Sequence, residues 1–401
     1  MMLKPEQLLK DLIGDAGREL TANILPFWMT RMPDNEQGGF YGRIDGRDNI
    51  ISDAPKGAIL NARILWSFSA AFVNLRDQQY LKMATRASDY IMTHFFDKEY
   101  GGTYWCLSNN GEPLDTKKQI YSQAFFIYAL SWYFMASGDE KCRNKAIDLF
   151  YLIERYSFDK VLNGYFEAFD RSWGALDDLR LSAKDANEKK TMNTHLHILE
   201  AYTALYRVWP ADNLHEKLKN LVLLFTDKII NDKTSHLNLF FDETWECKST
   251  LVSYGHDIEA SWLLYEAARV LGDEDIIRRV ALISTTIVRA ALEGLQDDGS
   301  LIYERDDAIA LIDHDRHWWV QAEAVVGLLN AWELNGDKSY LEKAVRCFDF
   351  IKKRLVDSEK GEWYWSIRSD GAVNTTDDKA GFWKCPYHNS RMCLEIMARE
   401  K

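Results

Sequence analysis

One short pattern recurs along the chain and constrains its fold more than any other feature: a glycine or polar turn, then aromatic residues, then a second polar stretch. It reads GGFYGRIDG from Gly38, GGTYWCLSNNG from Gly101 and NGYFEAFDRSW from Asn163. It returns as LNLFFDETWEC from Leu237, DGSLIYERDD from Asp298 and GEWYWSIRSDG from Gly361. The turn positions 39, 102, 164, 238, 299 and 361 lie 63, 62, 74, 61 and 62 residues apart. Six similar units of about 60 residues indicate one repeat architecture rather than a string of unrelated domains. Between the motifs the apolar residues follow a helical period. Helices are expected over 5–31, 55–75, 79–97, 117–137, 139–156, 190–209, 213–230, 256–272, 274–294, 316–335, 339–355 and 387–399, about twelve in all. The motifs alternate and end in polar turns, so they read as short hairpins or extended loops.

Six units of two helices can close into a ring. The inner helices would pack against one another and against an outer ring, with the hairpins gathered at one end around a cleft. An open superhelix of helix pairs is the competing arrangement. The Gly-aromatic hairpin in every unit favours the closed form, an all-α (α/α)6 barrel over residues 1–401 as a single catalytic domain.

Charge and composition narrow the function. The 401 residues carry 49 basic and 61 acidic side chains, for a net charge of −12. An acidic chain without a basic patch is a poor nucleic-acid ligand. No apolar run approaches the roughly 18 residues of a membrane span, and the polar N-terminus has no signal-like core. A cytoplasmic location is expected, with no membrane or nucleic-acid partner. The six cysteines form no CxxC pair, so neither a redox motif nor a zinc ribbon is suggested. The 14 Trp, 19 Tyr and 19 Phe exceed what helix packing needs. An aromatic-lined sugar cleft is one use for the excess.

The nine histidines divide into two groups. His94, His215 and His236 have no evident polar company and read as structural or exposed. In KKTMNTHLHILEAY (189–202), Asn193, His197 and Glu200 fall at i, i+4 and i+7 on one helical face. Polar groups on a core-facing stripe must find partners or border a cavity. SYGHDIEASW (253–262) places His256 and Glu259 at i and i+3, where the carboxylate would fix the imidazole tautomer. RHWWVQAEA (316–324) carries Arg316, Trp319 and Glu323, and WKCPYHNSRMCLE (383–395) sets His388 after Pro386 at the start of the last helix. A metal is not expected: there is no HExxH, and the i, i+2 pair His195 and His197 points apart on a helix. There is no GxGxxG after a strand and no phosphate loop, so no nucleotide cofactor is indicated. A helical-barrel glycosidase would need two flanking carboxylates. Imidazoles, which titrate near neutrality, suit reversible proton transfer better.

Several stretches together resemble the N-acylglucosamine 2-epimerase family, and within it the branch that acts on cellobiose. They are NARILWSFS (61–69), KKQIYSQAFF (117–126), MNTHLHILEAY (192–202), GHDIEASWLL (255–264), RHWWVQAEAVVG (316–327) and FWKCPYHNSRMCLE (382–395). They span nearly the whole chain, and the W-x-C-P-Y-H-N form of the last is the most specific. The resemblance implies reversible inversion of C2 in the reducing-end glucose of a β-1,4-linked disaccharide, cellobiose to glucosyl-mannose or lactose to epilactose, without a cofactor. It implies His256 and His388 as the acid–base pair and Glu259 as the group that orients His256. It further implies His197 as a helper in ring opening and Arg63 as the stabiliser of the enediolate oxygens. Tyr121 and Asn193 would bind hydroxyls, and Trp319 and Trp383 would stack on sugar rings. A monomer is expected. The rival readings are an aldose–ketose isomerase or a monosaccharide 2-epimerase of the same family, a glycosidase on the same barrel, and a non-catalytic carbohydrate-binding protein.

Overall fold

The computed structural model describes residues 4–400. The chain begins with α1 (Pro5–Glu19), which runs through a π turn at Leu20–Ile24 into α2 (Leu25–Thr30), so that 5–30 is one interrupted helix. It continues with α3 (Ala58–Leu75), α4 (Gln78–His94), α5 (Ile120–Ser137), α6 (Glu140–Tyr156), α7 (Met192–Val208) and α8 (Asp212–Leu224). The last five are α9 (Tyr254–Leu271), α10 (Glu274–Ala291), α11 (Trp318–Asn335), α12 (Lys338–Phe350) and α13 (Tyr387–Met397). With 5–30 taken as one, the described residues hold twelve helices of this length, as the periodicity predicts.

The ring closes. Helix α3 packs on α5, α5 on α7, α7 on α9, α9 on α11, α11 on α13, and α13 back on α3. These six form the inner wall, and most of their residues are buried on every side. The outer helices α4, α6, α8, α10, α12 and α1 each bury one stripe against an inner partner. An inner helix thus reads as nearly uniform apolar sequence and an outer one as amphipathic. By length and mean hydropathy (1.3 over 18 residues) α3 could cross a membrane, contrary to the expectation that no stretch approaches such a span. Its apolar faces are spent inside the ring, where 83% of those residues are buried.

Four of the inner helices turn sharply into their outer neighbours. Gly138, Gly272 and Gly336 end α5, α9 and α11 in the left-handed region, and Arg76 takes the same conformation after α3. The next residue is an aspartate, Asp139, Asp273, Asp337 or Asp77, whose carboxylate accepts the first free N–H groups of the outer helix.

The other end of the ring carries the motifs. A short bridge follows every outer helix: Pro33–Phe40, Phe96–Thr103, Phe158–Tyr165, Ile230–Leu237, Leu295–Leu301 and Val356–Trp363. This sets the true equivalence of the six turns. Residues 39, 102 and 164 hold the same place, as the sequence pattern predicts, but the later equivalents are 236, 300 and 362 rather than 238, 299 and 361. In those units the turn is not built on the same glycine. Several motif strands then pair with the residues just before an inner helix, as Lys118–Gln119 does with Ala168–Phe169 and Arg316–His317 with Ser366–Ile367.

Two polar devices fasten this end. Lys56, Lys118 and Lys190 meet Asp34, Asp97 and Asp159 at 2.8, 2.9 and 2.7 Å, all buried, and Lys379 pairs with Asp357 in the same way. The free oxygen of each aspartate caps the N–H groups of its own turn. The fourth residue of an inner helix supplies the second device. Gln123 and Gln321 pair with the peptides of Thr103 and Leu301, His195 accepts from the Tyr165 N–H, and Asp257 accepts from the Leu237 N–H.

Candidate active site

All six inner helices start at the motif end of the ring, so their N-termini converge. A positive partial charge collects there, and it favours anions. Residues from the first two turns of these helices, with Trp383 from the loop before α13, line a cavity of about 390 Å³ that contains every residue expected from the sequence: Arg63, Tyr121, Asn193, His197, His256, Glu259, Trp319, Trp383 and His388. Loop residues Leu181, Ser182, Lys184 and Asp185 cover one side, with Tyr303, His317, Trp318, Trp365 and Asp377 around the rest.

The histidines differ in their partners. His388 lies at the start of α13, and its Nδ1 is 2.7 Å from Glu323 Oε1 on α11. His197 Nδ1 is 2.9 Å from Glu200 Oε2, one turn along α7. His256 Nδ1 is 2.8 Å from the Ser253 hydroxyl. The expectation that Glu259 orients His256 is therefore not met. His256 reaches back to Ser253 at i−3, while Glu259 is taken by Arg391 at the barrel floor. Glu259 Oε1 is 2.5 Å from Arg391 Nη2 and 3.9 Å from His388 Nδ1.

Arg391 organises that floor. Its Nη2 also meets Glu323 Oε1 at 2.7 Å, and its Nη1 meets Glu200 and the Tyr387 hydroxyl. One buried guanidinium thus serves three buried carboxylates, two of which hold histidines of the cavity. Burial alone would raise Glu200, but Arg391 and His197 hold it down to about 2. Burial and the nearby Glu323 charge raise Glu259 to about 7 against the pull of Arg391. Burial, with Arg63 and Arg391 beside it, keeps His388 well below the usual imidazole range, and burial lowers His256 to about 3. Both are neutral imidazoles near pH 7 and can serve as bases. Glu259, Glu323 and His388 bring ligand atoms within 4.8 Å of one another, a donor set a cation could use. Arg391 already supplies the positive charge at that cluster.

The remaining site groups fall into place around these. Arg63 Nη2 donates to the Tyr121 hydroxyl at 3.0 Å, its guanidinium lies over the Phe125 and Tyr387 rings, and its Nε has no partner. Asn193 Oδ1 is likewise buried and unpaired. Trp319 packs 4.8 Å from His256 and 5.6 Å from His388, touching both. Gly255 makes this possible, since a Cβ there would sit 2.5 Å from the indole. Trp383 joins an aromatic cluster with Trp105, Phe382 and Tyr121.

Arg391, Tyr387 and Ser253 were not predicted as site residues, and Glu323 was noted without a role. Glu323, Tyr387 and Arg391 lie within stretches that carry the family resemblance and Ser253 two residues before one, but only the fold shows what each touches. Outside the site, His236 is not without polar company: it is buried between Asp257 at 2.7 Å and Glu293 at 3.3 Å. Its place is structural, as is that of His94, stacked on Tyr90.

Comparison with known proteins points the same way. The family model of N-acylglucosamine 2-epimerase matches residues 39–391. A Bacteroides fragilis protein named cellobiose 2-epimerase is 56% identical over 98% of this chain and 99% of its own. A Ruminococcus albus protein of the same name is 41% identical over 97% and 99%. The solved cellobiose 2-epimerase of Bacillus thermoamylovorans superposes with a TM-score of 0.93 at 41% identity, covering 97% of this chain and 100% of that one.

Proposed function

The chain belongs to the N-acylglucosamine 2-epimerase family, and we propose that it is a cellobiose 2-epimerase, inverting C2 of the reducing-end sugar of β-1,4-linked disaccharides. The observation that carries this reading is the pair of neutral histidines, half-buried His256 and buried His388, on two different inner helices but facing one cavity. Inversion needs one group to take the C2 proton and another to return it on the opposite face.

The steps follow from what each group can do. The ring opens first, since only the free aldehyde acidifies the C2 hydrogen. His197, held by Glu200, assists at the ring oxygen. With Nδ1–H given to Glu323, His388 keeps Nε2 free to take the proton. The carboxylate then stabilises the imidazolium that forms. Arg63 and the helix N-termini stabilise the enediolate oxygens. His256 returns a proton, and the two histidines exchange roles in the reverse direction. The aldehyde is its own electron sink, so the reaction calls for no organic cofactor. Asn193 Oδ1 and Tyr121 bind hydroxyls, and Trp319 and Trp383 stack on the two sugar rings. The reading takes a disaccharide as the partner of a monomeric, cytoplasmic enzyme.

The test is product identity from cellobiose. Glucosyl-mannose is expected. Glucosyl-fructose as the chief product would make the protein an aldose–ketose isomerase, and free glucose a glycosidase. Turnover of mannose or N-acetylglucosamine alone would remove the disaccharide claim.

A further inference from the structure

His256 is the one histidine of the site with a hydroxyl rather than a carboxylate behind it. A neutral imidazole that gives up its Nε2 proton must receive one at Nδ1 or become an imidazolate. The groups behind Nδ1 therefore decide whether His256 can act as an acid.

Ser253 ends a three-strand sheet. It lies directly opposite Glu304, and Glu304 lies directly opposite Asp313. Residues opposed in antiparallel strands project from the same face with Cβ atoms about 5 Å apart. Ser253, Glu304 and Asp313 thus form one row across the sheet, running from the buried hydroxyl at His256 to a half-buried aspartate at the edge strand. Ser253, Glu304 and His256 also line a second cavity of about 90 Å³, enough for several waters. The charged groups facing Glu304 are Asp313 and Asp306 on the strands and Lys184 and Asp185 on the covering loop.

We propose that Ser253, Glu304 and Asp313 are a proton path that serves His256 from behind. The inference rests on the two-histidine reading above. As the C2–H bond of the product forms with the Nε2 proton, the Ser253 hydroxyl proton passes to Nδ1. Glu304 returns a proton to the Ser253 oxygen through water in the cavity and recovers its own from solvent past Asp313. Every transfer runs backward when His256 is the base, and no charge is left on the imidazole or the hydroxyl. Burial, and next the Asp313 charge, raise Glu304 to about 7, which suits a group that both gives and takes a proton at neutral pH.

The test compares two readouts in D2O with cellobiose: deuterium at C2 of recovered substrate, and formation of the epimer. Glu304→Gln cannot pass a proton, but it leaves His388 and its carboxylate intact. Epimer formation is expected to fall roughly tenfold, below the 10²–10⁴ of a group in direct transfer. Exchange into recovered cellobiose stays near the wild-type rate, so the ratio of exchange to epimerisation rises. Glu304→Asp should recover most of the loss, and formate should partly rescue Glu304→Ala. A parallel fall of both readouts, as a merely structural role would produce, overturns the path, and so does an unchanged epimerisation rate. Wild-type protein showing neither exchange nor epimer would instead overturn the two-histidine reading, and this inference with it.

Discussion

Replacing Glu323 by glutamine removes one charge from the centre of the site and changes almost no volume. Glu323 Oε1 accepts from His388 Nδ1 and Arg391 Nη2, and Oε2 accepts from Trp262 Nε1 at 3.0 Å. Burial raises Glu323, but Arg391 and Trp262 donate to its two oxygens and His388 Nδ1–H adds a third donor, so these contacts select the ionised carboxylate. An amide must present its NH2 group on one side. Toward Trp262 or toward Arg391, it sets donor against donor at a buried position, which costs about 1–3 kcal/mol of stability. Toward His388 it also forces the proton onto Nε2, the nitrogen needed as base. The larger loss falls on the transition state, where His388 becomes an imidazolium. At a charge separation of about 4 Å and an effective dielectric constant near 20, that attraction is about 4 kcal/mol. Glutamine keeps only a dipole, so kcat should fall by roughly 10²–10³. KM should change little, because Glu323 lies behind His388. The assay is the initial rate of C2 epimerisation, with a thermal melt to check folding. A folded Glu323→Gln protein within about threefold of wild type would refute the argument that His388 works against this carboxylate.

Three further outcomes follow from the same geometry. His256→Ala and His388→Ala should each lower epimerisation by roughly 10²–10⁴-fold, while C2 exchange in recovered substrate survives in at least one of them; near-normal epimerisation by either variant, followed by NMR, would remove that residue from the mechanism. Glu167 is buried, and burial raises it to about 8 although Thr191 and Thr194 donate to it. A raised carboxylate stabilises the fold at low pH, and that contribution is lost as pH rises from about 4.5 through 8. Glu167→Gln keeps both hydrogen bonds, so urea titrations should find it close to wild type at pH 4 and more stable by on the order of 5 kcal/mol at pH 9; equal alkaline decline in both proteins would contradict this. Lys190→Met leaves the buried Asp159 charge without its ion partner and should cost about 3–5 kcal/mol, read as a lower melting temperature with kcat of the folded fraction unchanged.

The sequence carried the fold further than the site's wiring. Helices and motif spacing were legible because inner helices such as α5 read as near-continuous apolar runs and outer ones such as α10 as stripes. The turn equivalence drifted after the third unit, since the positions equivalent to Gly39, Gly102 and Gly164 are His236, Ser300 and Glu362. All nine expected site residues do line one cavity. Their pairings were less accessible. His256 and Glu259 at i and i+3 satisfied the spacing that His197 and Glu200 use on α7, but Glu259 is taken by Arg391 from another helix and His256 by Ser253. His388 found its carboxylate 65 residues away, on a neighbouring inner helix. Arg391 bonds carboxylates from three different helices, a relation that exists only once the ring has closed. The buried Lys–Asp ties went unread for a similar reason: Lys56, Lys118 and Lys190 sit in polar stretches that look solvent-exposed until the motif strands cover them.

The central claim is that C2 of a disaccharide loses its proton to one histidine and regains one from another. Incubating the protein with cellobiose in D2O, without added cofactor, and following C2 by NMR tests it most directly. The account predicts glucosyl-mannose carrying deuterium at C2. An epimer that keeps its original C2 hydrogen under conditions of full solvent exchange, or a mixture containing only glucose, would contradict it.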